Sequence, residues 1–225
     1  AGVEVLAAAN FPAVYAGQIV SGNVMTSRIN RNRIDWQGAH AQAIEMPDLL
    51  ATSDPWFRPV NLIQGPDGGV YIADFYNRII GHYEVPLEHP GRDRDRGRVW
   101  RLRSAEVAPA QLAKTAAIVS ADSSLAQLWP LLDHPTPRTR LAGLNELVAR
   151  VQDGSVEPAT LVAMLSKALD REASDHVQVA SLWGLLRISP ESLTADRLVS
   201  LSRHPSPVVR GHVQRVLAEA VHRGA

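Results

Sequence analysis

Residues able to do chemistry gather in three places along the first hundred positions. His82 and His89 flank Tyr83-Glu84-Val85-Pro86-Leu87-Glu88, and Asp93 follows closely. Imidazoles beside carboxylates can ligate a metal ion or move a proton near neutral pH. Pro86 prevents a helix from aligning both rings on one face, so such a site has to be built by a loop. Next comes Arg92-Asp93-Arg94-Asp95-Arg96-Gly97-Arg98. Its guanidinium forks suit a carboxylate or phosphate, and the interleaved aspartates can fill the same forks. His82, His89, Arg92 and Asp93 are therefore the candidate group for holding a ligand. Asp67 and Asp74 are candidate oxygen donors to a cation such as Ca²⁺, which takes about six to eight oxygens. Asp74 and Asn77 equally suit side-chain-to-backbone bonds that shape a turn.

Several chemistries are excluded. The chain has no cysteine, which removes disulfides, thiolate zinc sites, iron–sulfur clusters, a thiol nucleophile and covalent haem attachment. No Gly-x-Ser-x-Gly elbow, phosphate-binding Gly-rich loop or His-Glu-x-x-His string is present. Lys plus Arg and Asp plus Glu both number 23, which argues against nucleic acid or a polybasic membrane contact. Trp100 stands near the arginines without the aromatic series that stacks bases. No run of about 18 apolar residues suggests a membrane span. The chain opens at Ala1 without a basic stretch leading into an apolar one, so a signal peptide is expected to be absent or already removed.

The elements that must position these residues change along the chain. Ten of the 12 aromatics lie in residues 1–103, whereas 18 of the 24 leucines lie beyond Arg103. Aromatic and β-branched residues suit strands, and spaced leucines suit helices. Two short strands joined by a tight turn are expected between Val14 and Val24, and β-formers continue from Met25 to Trp36. Gly65-Pro66-Asp67-Gly68-Gly69 predicts a turn, followed by a strand over Val70–Phe75. Arg98–Arg103 is read as a strand with Val99, Trp100 and Leu102 on one face and arginines on the other. The two strands are expected in one antiparallel sheet, with Tyr71, Phe75 or Trp100 packed inside. A domain boundary is expected near 103–110, dividing the chain into 1–103 and 104–225.

The second part repeats itself. Leu131-Leu132-Asp133-His134-Pro135-Thr136-Pro137-Arg138-Thr139-Arg140 returns as Leu201-Ser202-Arg203-His204-Pro205-Ser206-Pro207-Val208-Val209-Arg210, 70 residues on. A degenerate copy around His176–Leu182 lies between them. Helix pairs are expected at 124–133 with 137–151, 158–170 with 175–188, and 194–203 with 206–222. Leu141, Leu144, Leu147, Leu182, Leu185 and Leu186 should fill their core. Paired helices at such a period indicate an α-solenoid. His134, Arg140, His204 and Arg210, at equivalent positions, are expected to tie repeat to repeat.

The His-Pro-(Thr or Ser)-Pro-x-x-Arg string followed by helical Leu and Ala resembles HEAT repeats. In the first part, Asp54-Pro55-Trp56-Phe57-Arg58-Pro59-Val60, the stretch Gly65–Asn77, Ile80-Gly81-His82-Tyr83 and the stretch Gly91–Arg101 resemble the large membrane-bound dehydrogenases of planctomycetes. In that family a quinoprotein-like β-propeller precedes HEAT repeats and a c-type haem module. The resemblance implies an α+β, multi-domain chain: the antiparallel end of a β-propeller (1–103), with an NHL-like blade motif around Asp74, then a HEAT-repeat solenoid (104–225). It implies an internal fragment whose parent carries pyrroloquinoline quinone, Ca²⁺ and haem c and works in the periplasm or outside the cell, with His82, His89, Arg92 and Asp93 at the blade ends contacting cofactor or substrate. No cofactor is expected in the fragment, since about two blades cannot close a ring. The expected partner is the rest of its own chain or another protein, met through the solenoid. A purely non-catalytic HEAT interaction module is the alternative.

Overall fold

A computed structural model describes residues 2–7, 11–37, 40–81, 84–106, 119–120, 122–170 and 173–222. Two compact units are present, Ala1–Ala117 and Ile118–Ala225.

Among the described residues seven strands build the first unit: β1 (Val3–Val5), β2 (Ile19–Asn23), β3 (Arg28–Gln37), β4 (His40–Ala51), β5 (Pro59–Gln64), β6 (Val70–Asp74) and β7 (Arg98–Leu102). They form two antiparallel meanders, β1-β2-β3-β4 and β5-β6-β7. Among the described residues these are open sheets, with no closed ring. Alternating burial along β2 and β6 points Val20, Val70 and Ile72 into a core with Leu6, Phe11, Ile29, Phe57 and Leu62.

Between Val14 and Val24 the chain forms one strand, β2, rather than two. Ala13–Tyr15 is a 3₁₀ turn, and Gly17, at φ +74°, reverses the chain into Ile19. β4 gave little strand signal because Pro47 lies within it. The register shifts between Ile29 and Arg31 opposite that proline, a bulge that spares the ladder its missing donor.

β6 and β7 pair as expected, but with different faces inward. Val70, Ile72 and Asp74 lie opposite Leu102, Trp100 and Arg98, so Arg98, Trp100 and Leu102 share a face. Val99 points the other way and is 76% exposed, because neighbouring strand residues cannot share a face. Tyr71 lies on that second face, and Phe75, just past the strand, is half exposed.

The first strands of the two sheets press together. Gly2 N–H donates to Val60 O at 2.9 Å, and Gly22 N–H to Gly2 O at 3.1 Å. A Cβ on Gly22 would sit 2.2 Å from Pro59 O, so only glycine fits there.

The second unit has six α-helices among the described residues: α1 (Leu125–Leu128), α2 (Pro137–Gln152), α3 (Pro158–Leu169), α4 (Asp175–Ile188), α5 (Ala195–Leu201) and α6 (Pro207–His222). A 3₁₀ turn at Trp129–Asp133 extends α1. Proline opens α2, α3 and α6, where its absent N–H costs no hydrogen bond. Ser124, Ser174 and Thr194 cap α1, α4 and α5 through their hydroxyls. The core includes Leu128, Leu144, Leu147, Leu161, Leu165, Leu182, Leu185, Leu186 and Val213. No strand occurs among the described residues from 124 to 222. Leu141 departs from expectation: it is 57% exposed. It precedes the buried Leu144 by three residues and falls on the open side of α2.

Gly22→Ala should destabilise the first unit by about 1–3 kcal/mol, since backbone rather than a movable side chain blocks the methyl. Thermal unfolding followed by circular dichroism checks this; an unchanged midpoint would show that the sheets are not held this closely.

Candidate functional site

Asp74 ends β6 with its carboxylate fully buried. An ionised carboxylate survives there only if donors replace water, and four do. Oδ1 accepts from the backbone N–H of Arg58 at 2.8 Å and of Tyr76 at 2.9 Å. Oδ2 accepts from Arg98 Nε at 2.8 Å and Trp100 Nε1 at 3.0 Å. Burial pushes its pKa up, but the N–H of Arg58, the Trp100 indole, the N–H of Tyr76 and Arg98 outweigh it and hold the carboxyl below 3.8. Arg98 also bridges to Asp54 at 2.9 Å and lies 3.6 Å over the Tyr76 ring.

Around this node the loop polar groups are spent on the chain itself. Arg58 donates to Asn77 O at 3.0 Å and Val24 O at 2.7 Å, joining the second sheet to the first. Asn77 is buried; its Nδ2 donates to Asp93 O at 2.7 Å, and its Oδ1 accepts from Ile79 N–H at 3.1 Å. Arg92 donates to the carbonyls of Pro86 at 3.0 Å and Val85 at 2.6 Å, and also to that of Gly81. Asp93 accepts from the N–H groups of Asp95 and Arg96 at 3.0 Å and from Arg96 Nε at 2.5 Å. The N–H of Asp95 is the main cause of its lowered pKa, against the smaller effect of burial; Arg96 adds to it. His89 is exposed, with Nδ1 accepting from Gly91 N–H at 3.0 Å. His82 lies outside the described residues. His89, Arg92 and Asp93 do line one open polar hollow of about 510 Å³, with Trp56, Arg94 and Arg96. Within it Arg92 is bound to carbonyls and Asp93 to N–H groups.

Asp67 and Asp74 do not converge. Asp67 accepts from Gly69 N–H at 3.2 Å, Tyr71 Oη at 3.2 Å and Arg101, on the far face of β6 from the Asp74 carboxylate. N–H and O–H donors thus face the oxygens offered to a cation. No cluster of three or more His, Asp or Glu able to hold a metal ion occurs among the described residues.

In the helical unit the repeated strings take one geometry. Arg140 Nη1 donates to His134 O at 2.7 Å and Pro135 O at 3.0 Å. Arg210 Nη1 donates to His204 O and Pro205 O, both at 2.7 Å. In each, the histidine Nδ1 accepts at 3.1 Å from the N–H two residues on, Thr136 or Ser206. Gln178, aligned with both arginines, reaches Ala173 O at 3.2 Å, the same five residues back. These side chains close the turn of their own repeat, whereas the carbonyls of a neighbour were expected. Neighbours are joined by Ser174 to Asp133 at 2.5 Å, Ser206 to Asp175 at 2.5 Å and Trp183 Nε1 to His212 Nδ1 at 3.0 Å. Arg58 and Trp183 were not singled out from sequence; the Asp-Pro-Trp-Phe-Arg-Pro string alone marked Arg58, and Arg98 entered only as the last arginine of the run from Arg92.

Residues 1–106 match a domain of unknown function, DUF7133. Among the described residues that span holds the seven strands and none of the six α-helices. No curated protein and no solved structure matches the chain. Among the described residues no helix is long and apolar enough to cross a membrane.

Asp74→Asn should cost about 3–5 kcal/mol, because the new amide turns N–H groups toward donors in a dry site. The pKa of Asp74 is depressed on folding, so its contribution is present above the unfolded value of 3.8 and is lost as pH falls through the lower folded value. Stability measured against pH should therefore drop in acid, and less steeply in Asp74→Asn. Arg210→Met should cost about 1–3 kcal/mol in denaturant unfolding, by stranding two turn carbonyls.

Proposed function

We propose that this chain is a scaffold segment of a periplasmic, quinoprotein-like dehydrogenase. Residues 1–103 supply blades of a β-propeller, and residues 104–225 supply HEAT repeats that present a surface to the rest of the chain or to another protein. The observation that carries this reading is the β unit's topology: a four-stranded meander followed directly by a second antiparallel meander, packed through β1, β2 and β5. Successive antiparallel blades packed side by side are how propellers are built, and a ring needs about four or more. Three consecutive helix pairs with one repeated turn support the HEAT part.

The quinone, Ca²⁺ and haem of such a parent do not fit the residues present. Asp67 and Asp74 are met by donors, Arg92 by carbonyls, and covalent haem attachment needs thiols that the sequence lacks. Redox chemistry in this reading belongs to other parts of the parent.

A non-catalytic interaction module is the second reading. It is favoured by an apolar groove of about 400 Å³ along α2, α4 and α6.

Calorimetric titration with pyrroloquinoline quinone and Ca²⁺, together with a dye-reduction assay, tests the scaffold role. The chain should show neither stoichiometric binding nor dye reduction, while a longer product containing its natural flanking sequence shows both. Tight stoichiometric binding by the chain alone, abolished by His82→Ala, would overturn the scaffold reading. A longer product inactive with both additions would leave the interaction module standing.

A further inference from the structure

The groove along the second helices joins two features that ordinary surfaces keep apart. Its floor is apolar: Leu141 from α2, 57% exposed, faces it beside Val179 and the half-buried Trp183 of α4. Its polar lining consists of Arg140, His176, Arg187 and His212, with no carboxylate among the lining residues. Arg187 is exposed and donates to a neutral amide, Asn145 Oδ1, at 2.7 Å. Arg140 gives Nη1 to two carbonyls. His176 has Asp133 at 3.4 Å. The Trp183 indole donates to His212 Nδ1, which places that ring's own proton on Nε2 and fixes its tautomer. Asp133 thus lies beside His176 and acts on Arg140, while Arg187, across the exposed leucine, has only a neutral amide as partner. Elsewhere in this unit, by contrast, Arg197 meets Asp170 at 3.0 Å and Arg150 meets Glu146 at 3.0 Å.

We infer that this groove docks an acidic peptide segment of a partner protein, one apolar side chain seated over Leu141, Val179 and Trp183 and flanking carboxylates answering Arg140 and Arg187. The inference rests on reading the helical unit as an interaction module and adds the chemistry of what it binds. A hollow of about 400 Å³ holds one or two side chains, the scale of a peptide anchor. Charge complementarity supplies specificity and an approach rate that falls with salt. The guanidinium fork suits a carboxylate better than a lysine would. Nucleic acid is the poorer match, because one tryptophan over an aliphatic floor offers no run of stacking rings.

Fluorescence anisotropy on the whole chain tests this, with a fluorescein-labelled glutamate-rich peptide carrying a central leucine–phenylalanine pair. Saturable binding that weakens with added salt is expected. Arg187→Glu and Leu141→Asp should each weaken it about tenfold or more, a loss of about 1.4 kcal/mol or more. Both positions are exposed, and unchanged melting curves would confirm that the variants fold. The inference is overturned by absence of saturable binding, by variants that bind like the parent, or by equal binding of a lysine-for-glutamate peptide. Equal displacement by a mixed-sequence single-stranded DNA would also overturn it, by revealing an unselective anion surface. The quinone titration is read without peptide, so the scaffold reading and this one can fail separately.

Discussion

A carboxylate buried at the end of β6 constrains the whole β unit. Asp74 has no water to solvate it, so its charge persists only while four N–H groups stay aimed at two oxygens. Those donors come from the entry to β5, the turn after β6, and two alternate residues of β7. Meeting the need of one side chain therefore fixes three strands and a turn at once. The constraint passes outward through Arg58: its backbone serves Asp74, while its guanidinium reaches Val24 O in the first sheet. At the other end of β5, Gln64 does the corresponding work, accepting from Ala7 N–H at 2.7 Å and donating to Gly68 O at 2.9 Å. The first sheet is thus tied to β5 at both ends, and Gly22 lets the strands approach closely enough for the ties to form.

The helical unit reaches order by repetition. Each second helix begins at a turn whose carbonyls have no helical partner, and a long polar side chain about one turn into the helix folds back to satisfy them. Arginine does this with two carbonyls in the outer copies, and Gln178 with one in the middle copy. The local bond explains why the middle copy tolerates a shorter, neutral residue: what is required is an N–H donor at the right reach, not a positive charge. Adjacent copies are joined by other contacts, Ser174 to Asp133 and Ser206 to Asp175, while the hydrogen bonds of Arg140 and Arg210 stay within their own copies.

Periodicity and turn chemistry were readable from sequence to the extent that they are local. Helix positions followed from leucine spacing, N-terminal prolines and the repeated string, all properties of short windows. The turn at Gly65–Gly69 and the strand after it followed for the same reason. What escaped depends on pairing. β1 is three residues long and exists because β2 lies beside it. β4 looks unlike a strand until the bulge at Pro47 is known. The facing of β7 follows from its register with β6, which a six-residue string cannot supply. Leu141 keeps the helical spacing of a core residue, yet among the described residues no neighbouring helix covers it. DUF7133 covers only the β unit.

The candidate site illustrates the same limit from the chemical side. Residue type identified Asp74, Arg92 and Asp93 as groups that could serve a ligand, and the geometry gives each of them several partners in its own chain. An irregular segment such as 77–97 has no ladder to satisfy its carbonyls and N–H groups, so side chains must do it. Arginine and aspartate are the residues with enough donors and acceptors for the task, and a loop that holds itself together this way has the composition of a binding site. Free valence, rather than residue type, separates the two. In the β unit these candidate side chains have their valences filled from within. In the helical unit, along the groove of α2, α4 and α6, an uncovered leucine and arginines bonded only to neutral oxygens stand together. An acidic peptide bound there, as proposed, would give that leucine and those arginines the partners that the side chains of the arginine-rich loop already find within their own chain.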